Sequence, residues 1–312
     1  MNFHDFLGDR LKPPAVALHC LAALSADPRN VVHVLSGRTA TDMQATLGSV
    51  PRLGLIAELG HLQLPPTANR GVSLTSEQAA PTGASPAAGR DRPSSETSGG
   101  LIPPGWVLLH RDEDVSSLSA SSRSHSTEAL APAGDCPVRE VWRATARRVI
   151  REYTTHTSGS YEKHNVSALL WCYHDADPDY GRFQARSLVQ ALREKLGAAP
   201  VTVSHNHNKA LVEVRLAGVN KGTAVDRLIC QADAENPVDF ILCIGDDDDD
   251  EYMLSATAAR SCSPALRERL QGKLFTATVG TVRASSHAHY FATDASQVLA
   301  LLESLKQTSS SR

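Results

Sequence analysis

The 312-residue sequence lacks features that would assign it to several common functional classes. It has no excess of charge of either sign: the formal net charge is −3, and lysine and arginine are spread along the chain. This gives no electrostatic reason to expect nucleic acid or an anionic membrane as a partner. No apolar run approaches membrane-spanning length, and the start, MNFHDFLGDRLKPP, has no signal-peptide core. We therefore expect a cytoplasmic protein.

The sequence also lacks any CxxC pair. Its six cysteines are widely scattered, so a zinc site built from paired cysteines is not expected, and reduced thiols are the simplest interpretation. Cys243 lies within an apolar run, which indicates a small core residue.

Large apolar residues are almost missing from two stretches, and these stretches divide the chain. Residues 64–105 and 112–135 are dominated by small and polar residues and proline. Such segments cannot bury enough surface to offset their conformational entropy, so we predict two disordered insertions.

Residues 1–63 and 218–312 predict one α/β domain. Val31 to Leu35 is a β-branched run that ends in Ser36-Gly37, typical of a buried parallel strand feeding a loop at its C-terminal end. Open α/β sheets bind ligands at such loops. A helix over 222–233 leads into VDFILCIG, and KLFTATVG predicts a further strand. We expect the first and last parts of the chain to share one parallel sheet.

Residues 106–111 and 136–217 predict a second unit. A helix begins at Pro137, and SALLWCY predicts a strand that precedes another amphipathic helix. VTVS and ALVEVRL predict two more strands with hairpin-like spacing. This order of elements indicates an α+β unit inserted in the middle of the chain.

Five consecutive aspartates, Asp246 to Asp250, directly follow a predicted buried strand. Acidic runs are usually solvated. Here Gly245 allows a tight turn, so the first aspartates emerge at the C-terminal edge of the sheet, and their mutual repulsion is offset if a hard cation binds. Mg²⁺ takes carboxylate oxygens as ligands. The sequence therefore predicts a magnesium site, with Asp246, Asp247 and Asp250 as ligands or as residues that orient them.

The run is part of a longer pattern, Gly-Asp-Asp-x-x-Asp-Glu-x-Met, from Gly245 to Met253. It resembles the fourth motif of the haloacid dehalogenase superfamily and, more narrowly, that of the trehalose-6-phosphate phosphatase family, with Leu254 in place of Phe. Further segments resemble family motifs in the same order: VLSGR, LGLIAELG, EYTTHTSGS, VEVRLAGVNKG and TVGTVRASSHAHY. In LGLIAELG, Leu59 replaces the His of the family's AEHG. The resemblance implies a Rossmann-like parallel-sheet core with an inserted α+β cap.

This resemblance also implies an activity, the magnesium-dependent hydrolysis of trehalose 6-phosphate to trehalose and phosphate through an aspartyl-phosphate. Ser36 would donate a hydrogen bond to the phosphoryl group, and Lys221 would clamp its oxygens. The alternatives are that Ser36 caps the following helix and that Lys221 is solvated.

The α+β unit resembles the family's cap, which closes over the sugar and supplies specificity. Glu213 and Arg215 alternate with valines on one predicted strand, so both project from the same face. The resemblance implies that Glu213 binds sugar hydroxyls, and we assign Arg215 and Asn220 to substrate binding as well. The alternative is a solvated strand face.

One sugar-contacting segment of the family, GSxxExK, is altered in this chain. Lys163 stands where Glu is expected, Asn165 stands where Lys is expected, and Glu162 lies one position early. Sugar recognition by this segment requires the turn to slip by one residue.

The family's first motif, DxDGT, which carries its nucleophile and its general acid, does not occur in the 312 residues. HDFLGD, residues 4–9, is weakly similar to this motif. Asp5 stands at the position of the nucleophile and Leu7 at the position of the general acid, and we interpret the similarity as coincidence. We expect the chain to begin just after the nucleophile strand. Either the protein is longer, or its gene is truncated, or its product is non-catalytic. A sheet without that strand would have a long unpaired edge and poor stability.

Three hypotheses for the function follow. The first is a magnesium-dependent trehalose-6-phosphate phosphatase. The second is a non-catalytic regulatory or binding subunit of a trehalose-synthesising complex, with a trehalose-phosphate synthase as partner, which the altered motifs favour. The third is a phosphatase for another sugar phosphate.

Overall fold

The computed structural model describes residues 13–67, 102–109, 137–259, 264–280 and 286–310. These residues divide into two compact units. The core unit contains 13–67, 102–109, 220–259, 264–280 and 286–310, and the cap unit contains 137–219. Most of the two predicted insertions and the HDFLGD segment lie outside the described residues.

The elements follow the order expected of an α/β protein. The helices are α1 (Ala15–Ala26), α2 (Ala40–Leu47), α3 (Pro137–His156), α4 (Pro178–Leu196), α5 (Lys221–Glu235), α6 (Asp248–Ala259), α7 (Pro264–Arg269) and α8 (Ala295–Ser310). The strands are β1 (His33–Leu35), β2 (Gly54–Ala57), β3 (Leu62–Leu64), β4 (Val107–Leu108), β5 (Tyr161–His164), β6 (Ala168–Cys172), β7 (Val201–Asn206), β8 (Leu211–Leu216), β9 (Ile241–Gly245), β10 (Leu274–Val279) and β11 (Tyr290–Ala292).

The core unit contains two sheets within the described ranges. In one, β1 pairs in parallel with β2, and β2, β3 and β4 continue in antiparallel order. In the other, β10 lies between β9 and β11, and all three strands are parallel. The α/β class is confirmed, but the prediction of a single shared parallel sheet is wrong for these residues, because β1 hydrogen-bonds to β2 and β9 to β10 rather than to each other.

Helix α5 connects the two sheets of the core unit. Ala224 and Leu228, four residues apart on one helix face, pack against Ile56 of β2. Val225, on the adjacent face, packs against Cys243 of β9. Both clusters include contacts to Leu35 at the end of β1, so the start of α5 lies near the C-terminal ends of β1 and β9.

The boundary of the core unit differs from the predicted one at residues 106–109. The sequence assigns 106–111 to the cap, whereas β4 pairs with β3 and belongs to the core unit. The Arg227 guanidinium on α5 donates to the carbonyl of Leu109 at 2.8 Å and fixes the same segment. A strand of two residues is too short to show an alternating pattern in the sequence.

The cap unit is a four-stranded antiparallel sheet in the order β5-β6-β8-β7. Helices α3 and α4 pack on one face of this sheet. The hydrophobic core between them contains the fully buried Trp171 of β6, Val212 of β8, Ile150 of α3 and Leu188 of α4. This is the α+β architecture that the sequence predicts for the inserted unit.

The cysteines agree only in part with the prediction of reduced thiols. Cys20, Cys172 and Cys243 are buried free thiols, whereas Cys230 is disulfide-bonded. Cys243 is the small core residue that the sequence indicates, and burial raises the pKa of its thiol to about 11. In the part of the chain that the structure describes, no helix is both long and apolar enough to cross a membrane.

Candidate functional site

A buried ion pair between Lys221 and Asp250 forms the centre of the candidate site. Lys221 is the first residue of α5, and its Nζ lies 2.6 Å from Oδ1 of Asp250 in α6. Each side chain is 7% exposed. Burial lowers the pKa of Lys221, but the charge and hydrogen bond of Asp250, with Asp247 and Asp249, outweigh it and raise that pKa overall. Lys221 is therefore a buried ammonium ion, and the alternative of a solvated lysine does not hold.

The second oxygen of Asp250 fixes the turn between β9 and α6. It accepts hydrogen bonds from the backbone N–H groups of Asp246 (2.9 Å) and Asp247 (3.2 Å). In return, Asp247 Oδ1 accepts the backbone N–H of Asp250 at 3.0 Å. The Asp250 N–H is one of the first N–H groups of α6, which have no partner within the helix, so Asp247 satisfies a donor that the helix leaves open, and Asp250 reaches back to the two N–H groups that precede the helix. Asp250 therefore holds Lys221 and shapes the acidic turn.

Two glycines allow the ion pair to form. A Cβ at Gly245 would lie 2.3 Å from the Cβ of Asp250, closer than any two such atoms can approach. A Cβ at Gly222 would lie 2.6 Å from the backbone oxygen of Tyr252 in α6. The glycines of the GDD and NKG segments are thus required because the start of α5, the end of β9 and the first turn of α6 meet there.

Asp246 and Asp247 lie between the end of β9 and the start of α6, and both are accessible to solvent. Asp246 is exposed at the end of β9, and the Asp247 side chain is 35% exposed with Oδ1 3.6 Å from Lys221 Nζ. The described ranges contain no group of three or more histidine, cysteine, aspartate or glutamate side chains that could hold a metal ion. Mg²⁺ needs only one or two carboxylates, with water and phosphate oxygens completing its shell. The donor set formed by Asp246 and Asp247 fits that requirement.

Ser36 follows β1 directly and is half-buried. Its Oγ accepts the backbone N–H of Arg38 at 3.2 Å. Helix α2 is capped by Thr39, whose hydroxyl accepts the N–H of Asp42 at 3.2 Å. The alternative role of Ser36 as the helix cap is therefore wrong, and its contact with a phosphoryl group stays a prediction.

A strained turn holds the Ser36 loop in place. Glu58 and Leu59 have φ values of 51° and 59°, a left-handed conformation that non-glycine residues rarely adopt. The N–H of Glu58 donates to the carbonyl of Arg38 at 2.9 Å, and that of Leu59 donates to the carbonyl of Ser36 at 3.0 Å. Gly60 lies against α5, where an added Cβ would be 3.0 Å from the carbonyl oxygen of Asn220. The AELG turn thus links the Ser36 loop to the start of α5.

Asn220 is the residue that starts α5. Its Oδ1 accepts the backbone N–H of Thr223 at 3.0 Å, and the Thr223 hydroxyl lies 3.4 Å from the Asn220 N–H in a capping box. This cap makes Lys221 the first helical residue and directs it towards Asp250. A contact between Asn220 and substrate stays a prediction.

Sequence reasoning missed the positioning role of Glu251 in α6. Its carboxylate accepts the Ser286 hydroxyl and the backbone N–H of His287, both at 2.8 Å. Burial raises the pKa of Glu251, but these hydrogen bonds and His287 outweigh it and lower that pKa overall. Glu251 thereby attaches Ser286 and His287 to the helix that follows the acidic turn. The signal was its place in the Gly-Asp-Asp-x-x-Asp-Glu pattern.

In the cap unit, Glu213 and Arg215 lie on β8, with Glu213 Oε2 and Arg215 Nη1 3.8 Å apart. Their side chains are 16% and 12% exposed, so this is not the fully solvated strand face of the alternative. Glu162 of β5 is opposite Trp171, in the core, and its carboxylate lies 3.6 Å from Arg151 of α3. It therefore points towards the helices, and the turn has not slipped by one residue.

Comparisons with known proteins agree with the motifs. A family model described as trehalose-phosphatase matches residues 120–296. A probable alpha,alpha-trehalose-phosphate synthase (UDP-forming) of Arabidopsis thaliana is 30% identical over 300 residues, which is 96% of this chain and 27% of that protein. The chain thus spans about a quarter of the length of this relative.

Two solved structures extend the likeness to the fold. The C-terminal domain of C. albicans trehalose-6-phosphate phosphatase gives a TM-score of 0.61 at 25% identity, over 95% of this chain and 84% of that one. Aspergillus fumigatus trehalose-6-phosphate phosphatase gives a TM-score of 0.55 at 26% identity, over 95% and 85% of the two chains.

Proposed function

The chain belongs to the trehalose-phosphatase family of the haloacid dehalogenase superfamily, and we propose that its core unit binds the phosphoryl group of trehalose 6-phosphate together with Mg²⁺. The observation that carries this proposal is the buried Lys221 ammonium, held by Asp250 beside an acidic turn. Lys221 is the cation for the phosphoryl oxygens, Ser36 donates a hydrogen bond to them, and Asp246 and Asp247 hold the metal.

The charges of the site support a bound cation. Lys221 contributes +1, and Asp246, Asp247 and Asp250 contribute −3, so these four side chains together carry −2. A phosphate dianion would be repelled by that charge, and one divalent cation brings the sum to zero. Mg²⁺ would supply this neutralisation and would orient the phosphoryl oxygens.

The residues of the chain perform the remaining tasks. The Asn220 cap and the AELG turn bring Lys221 and Ser36 to the ends of β9 and β1, so that both groups are fixed before a ligand arrives. Such positioning is most of what phosphoryl-transfer sites supply. In the cap unit, Glu213 accepts hydrogen bonds from sugar hydroxyls, and Arg215 orients the Glu213 carboxylate.

Hydrolysis additionally requires an aspartate nucleophile, and the 312 residues contain no DxDGT motif. The altered GSxxExK segment, with Lys163 where Glu is expected, favours a second candidate, a non-catalytic binding or regulatory subunit of a trehalose-synthesising complex, with a trehalose-phosphate synthase as partner. The name of the A. thaliana relative, a probable synthase of which this chain matches 27%, supports the same candidate. Both candidates use the same phosphoryl site. The cytoplasmic location stays a prediction, to be tested by cell fractionation.

The two candidates are separated by measuring phosphate release from trehalose 6-phosphate by the purified chain, with Mg²⁺ and with chelator. Binding is measured in parallel by calorimetry. Magnesium-dependent release that Asp246→Asn abolishes identifies a phosphatase, and Asp5→Asn then tests the HDFLGD segment as the source of the nucleophile. Magnesium-dependent binding without release identifies the regulatory candidate. A folded chain that neither binds nor hydrolyses trehalose 6-phosphate contradicts both.

A further inference from the structure

A cluster of nitrogen and hydroxyl groups lies at one end of the cap unit. Strands β6 and β7 both pair with β8 in antiparallel fashion, so they run in the same direction and end at the same edge of the cap sheet. Tyr173 directly follows β6, His205 and His207 lie at the end of β7, and Arg186 lies on helix α4. We call these four residues the cap-end cluster.

The cap-end cluster lies on the helical side of the cap sheet. His205 is opposite Val212 of β8, and Val212 packs in the core between the sheet and the helices. Directly opposed residues project to the same side and successive residues alternate, so His205 faces the helices whereas Glu213 faces away from them. A ligand of the cap-end cluster is therefore separate from any ligand that contacts Glu213.

Short contacts hold the two histidine rings beside each other. The Tyr173 hydroxyl lies 2.7 Å from Nε2 of His205, and the ring centroids of His205 and His207 are 3.8 Å apart. Tyr173 is only 4% exposed, and its ring packs so closely on α4 that a Cβ at Gly181 would lie 2.7 Å from it. This buried ring anchors the half-buried His205 and leaves Nδ1 of His205 and the exposed His207 ring for a ligand.

The charged neighbours that act on His205 within the described ranges are all cationic. Burial and these neighbours lower the pKa of His205 to about 4, so its ring is neutral at pH 7. Burial raises the pKa of Tyr173, and the charges of Arg182 and Arg186 oppose that rise. Arg182 is paired with Asp179, whereas Arg186 has no hydrogen-bond or ion-pair partner among the described residues. The cluster therefore gathers N–H and O–H donors around an uncompensated guanidinium.

Two classes of ligand suit a pair of imidazoles, a transition metal and an oxyanion. A metal needs further ligands, and the part of the chain that the structure describes has no group of three or more histidine, cysteine, aspartate or glutamate side chains that could hold one. Arg186 would also repel a cation. An oxyanion pairs with a guanidinium through two parallel hydrogen bonds and accepts further bonds from imidazole N–H groups. The donor set thus favours the oxyanion.

We propose that the cap-end cluster binds the oxyanion of a small acidic ligand, a phosphate, sulfate or carboxylate group, with Arg186 as its permanent cation and the histidine pair taking up a proton as it binds. This site is independent of the phosphoryl site in the core unit.

Proton uptake makes binding at the cap-end cluster depend on pH. A bound anion favours the imidazolium form, so it raises the pKa of His205 from its low value in the free protein. The other titratable or charged groups around this ring are Tyr173 after β6, His207 after β7, and Arg186 of α4. Affinity should therefore rise as the pH falls, by about tenfold for each pH unit over which one proton is taken up.

The test is titration of the full chain with sulfate and with acetate at about pH 8 and about pH 6, followed by NMR of the histidine rings. Sulfate represents phosphate and sulfate groups without titrating in this range, and acetate represents carboxylates. Chelator is present throughout, because the core site is proposed to require Mg²⁺. Arg186→Gln and His207→Gln are compared with Arg148→Gln on α3 and His19→Gln on α1, the same changes at other exposed positions.

We expect at least one oxyanion to bind saturably and more tightly at the lower pH. Arg186→Gln and His207→Gln should each weaken it about tenfold or more, and the two control variants should not. The tighter ligand then shows which acidic group is preferred.

Absence of saturable binding, affinity that does not change with pH, or equal effects of the matched variants would overturn the proposal. Binding of Zn²⁺ that His207→Gln abolishes, without binding of either oxyanion, would overturn it in favour of a metal site. Oxyanion binding that only Lys221→Met weakens would overturn it too, while supporting the phosphoryl site of the core unit.

Discussion

Removal of either partner of the buried Lys221–Asp250 pair should destabilise the core unit, and by unequal amounts. Asp250→Ala leaves an ammonium ion buried without the carboxylate 2.6 Å away, which typically costs about 3–5 kcal/mol. It also removes the acceptor for the N–H groups of Asp246 and Asp247, which adds about 1 kcal/mol.

Lys221→Met should cost less, about 1–3 kcal/mol, because Asp250 keeps its two backbone donors at the start of α6. Methionine also keeps most of the length of the buried stem. In the double variant no buried charge remains unpaired, so its cost should fall short of the sum of the single costs by about 2–3 kcal/mol.

The assay is native-state hydrogen exchange by mass spectrometry on peptides that cover α5 and α6, which reports the opening free energy of the core unit without assuming that both units unfold together. We expect Asp250→Ala to lower the opening free energy more than Lys221→Met, and we expect the two losses to be strongly non-additive. Equal and additive losses, or single losses below about 1 kcal/mol, would refute it.

Further perturbations test the turns and the half-buried His33. Gly245→Ala places a Cβ 2.3 Å from that of Asp250, so it should cost about 2 kcal/mol or more in urea denaturation and weaken Mg²⁺ binding; an unchanged midpoint would contradict the packing. Leu59→His should lower the melting temperature less than Leu59→Val, because histidine accepts left-handed φ and β-branched residues do not; the reverse order would exclude strain there. Burial lowers the pKa of His33 to about 4, so only the unfolded chain gains this proton as pH falls from about 6.5 to 4, and stability should drop by up to ~3 kcal/mol. His33→Gln should flatten that part of the pH profile, and an unchanged profile would show that other groups cause it.

The sequence predicted the elements whose pattern is long enough to read. Helices α3, α4 and α5 each bury one face, so their apolar residues recur with helical periodicity in the sequence. Strands β6 and β9 are buried or half-buried and therefore consist of apolar runs. The strands β3 and β4, of three and two residues, carry no such pattern and were missed. The separation into two sheets was also missed, since strand order depends on contacts far apart in sequence.

At the site, the motif identified the acidic turn but not the different roles of its aspartates. Five identical side chains in a row have the same chemistry, and only the first turn of α6 directs Asp250 inward to Lys221 while leaving Asp246 exposed. In the cap unit, the direction of the β5 side chains likewise could not be predicted, because it depends on strand register. A one-residue shift reverses the face to which every side chain points, so whether Glu162 or Lys163 faces the helices could be determined only from the pairing with β6.

The phosphoryl site is tested most directly by calorimetric titration of the full chain with trehalose 6-phosphate, in Mg²⁺ and in chelator. The proteins compared are the wild type, Lys221→Met and the exposed-lysine control Lys273→Met. We expect binding to require Mg²⁺, to weaken about tenfold or more in Lys221→Met, and to be unchanged in Lys273→Met. Equal affinity with and without Mg²⁺, or equal affinity for a folded Lys221→Met variant and the wild type, would contradict the claim that the Lys221–Asp250 turn is a phosphoryl-binding site.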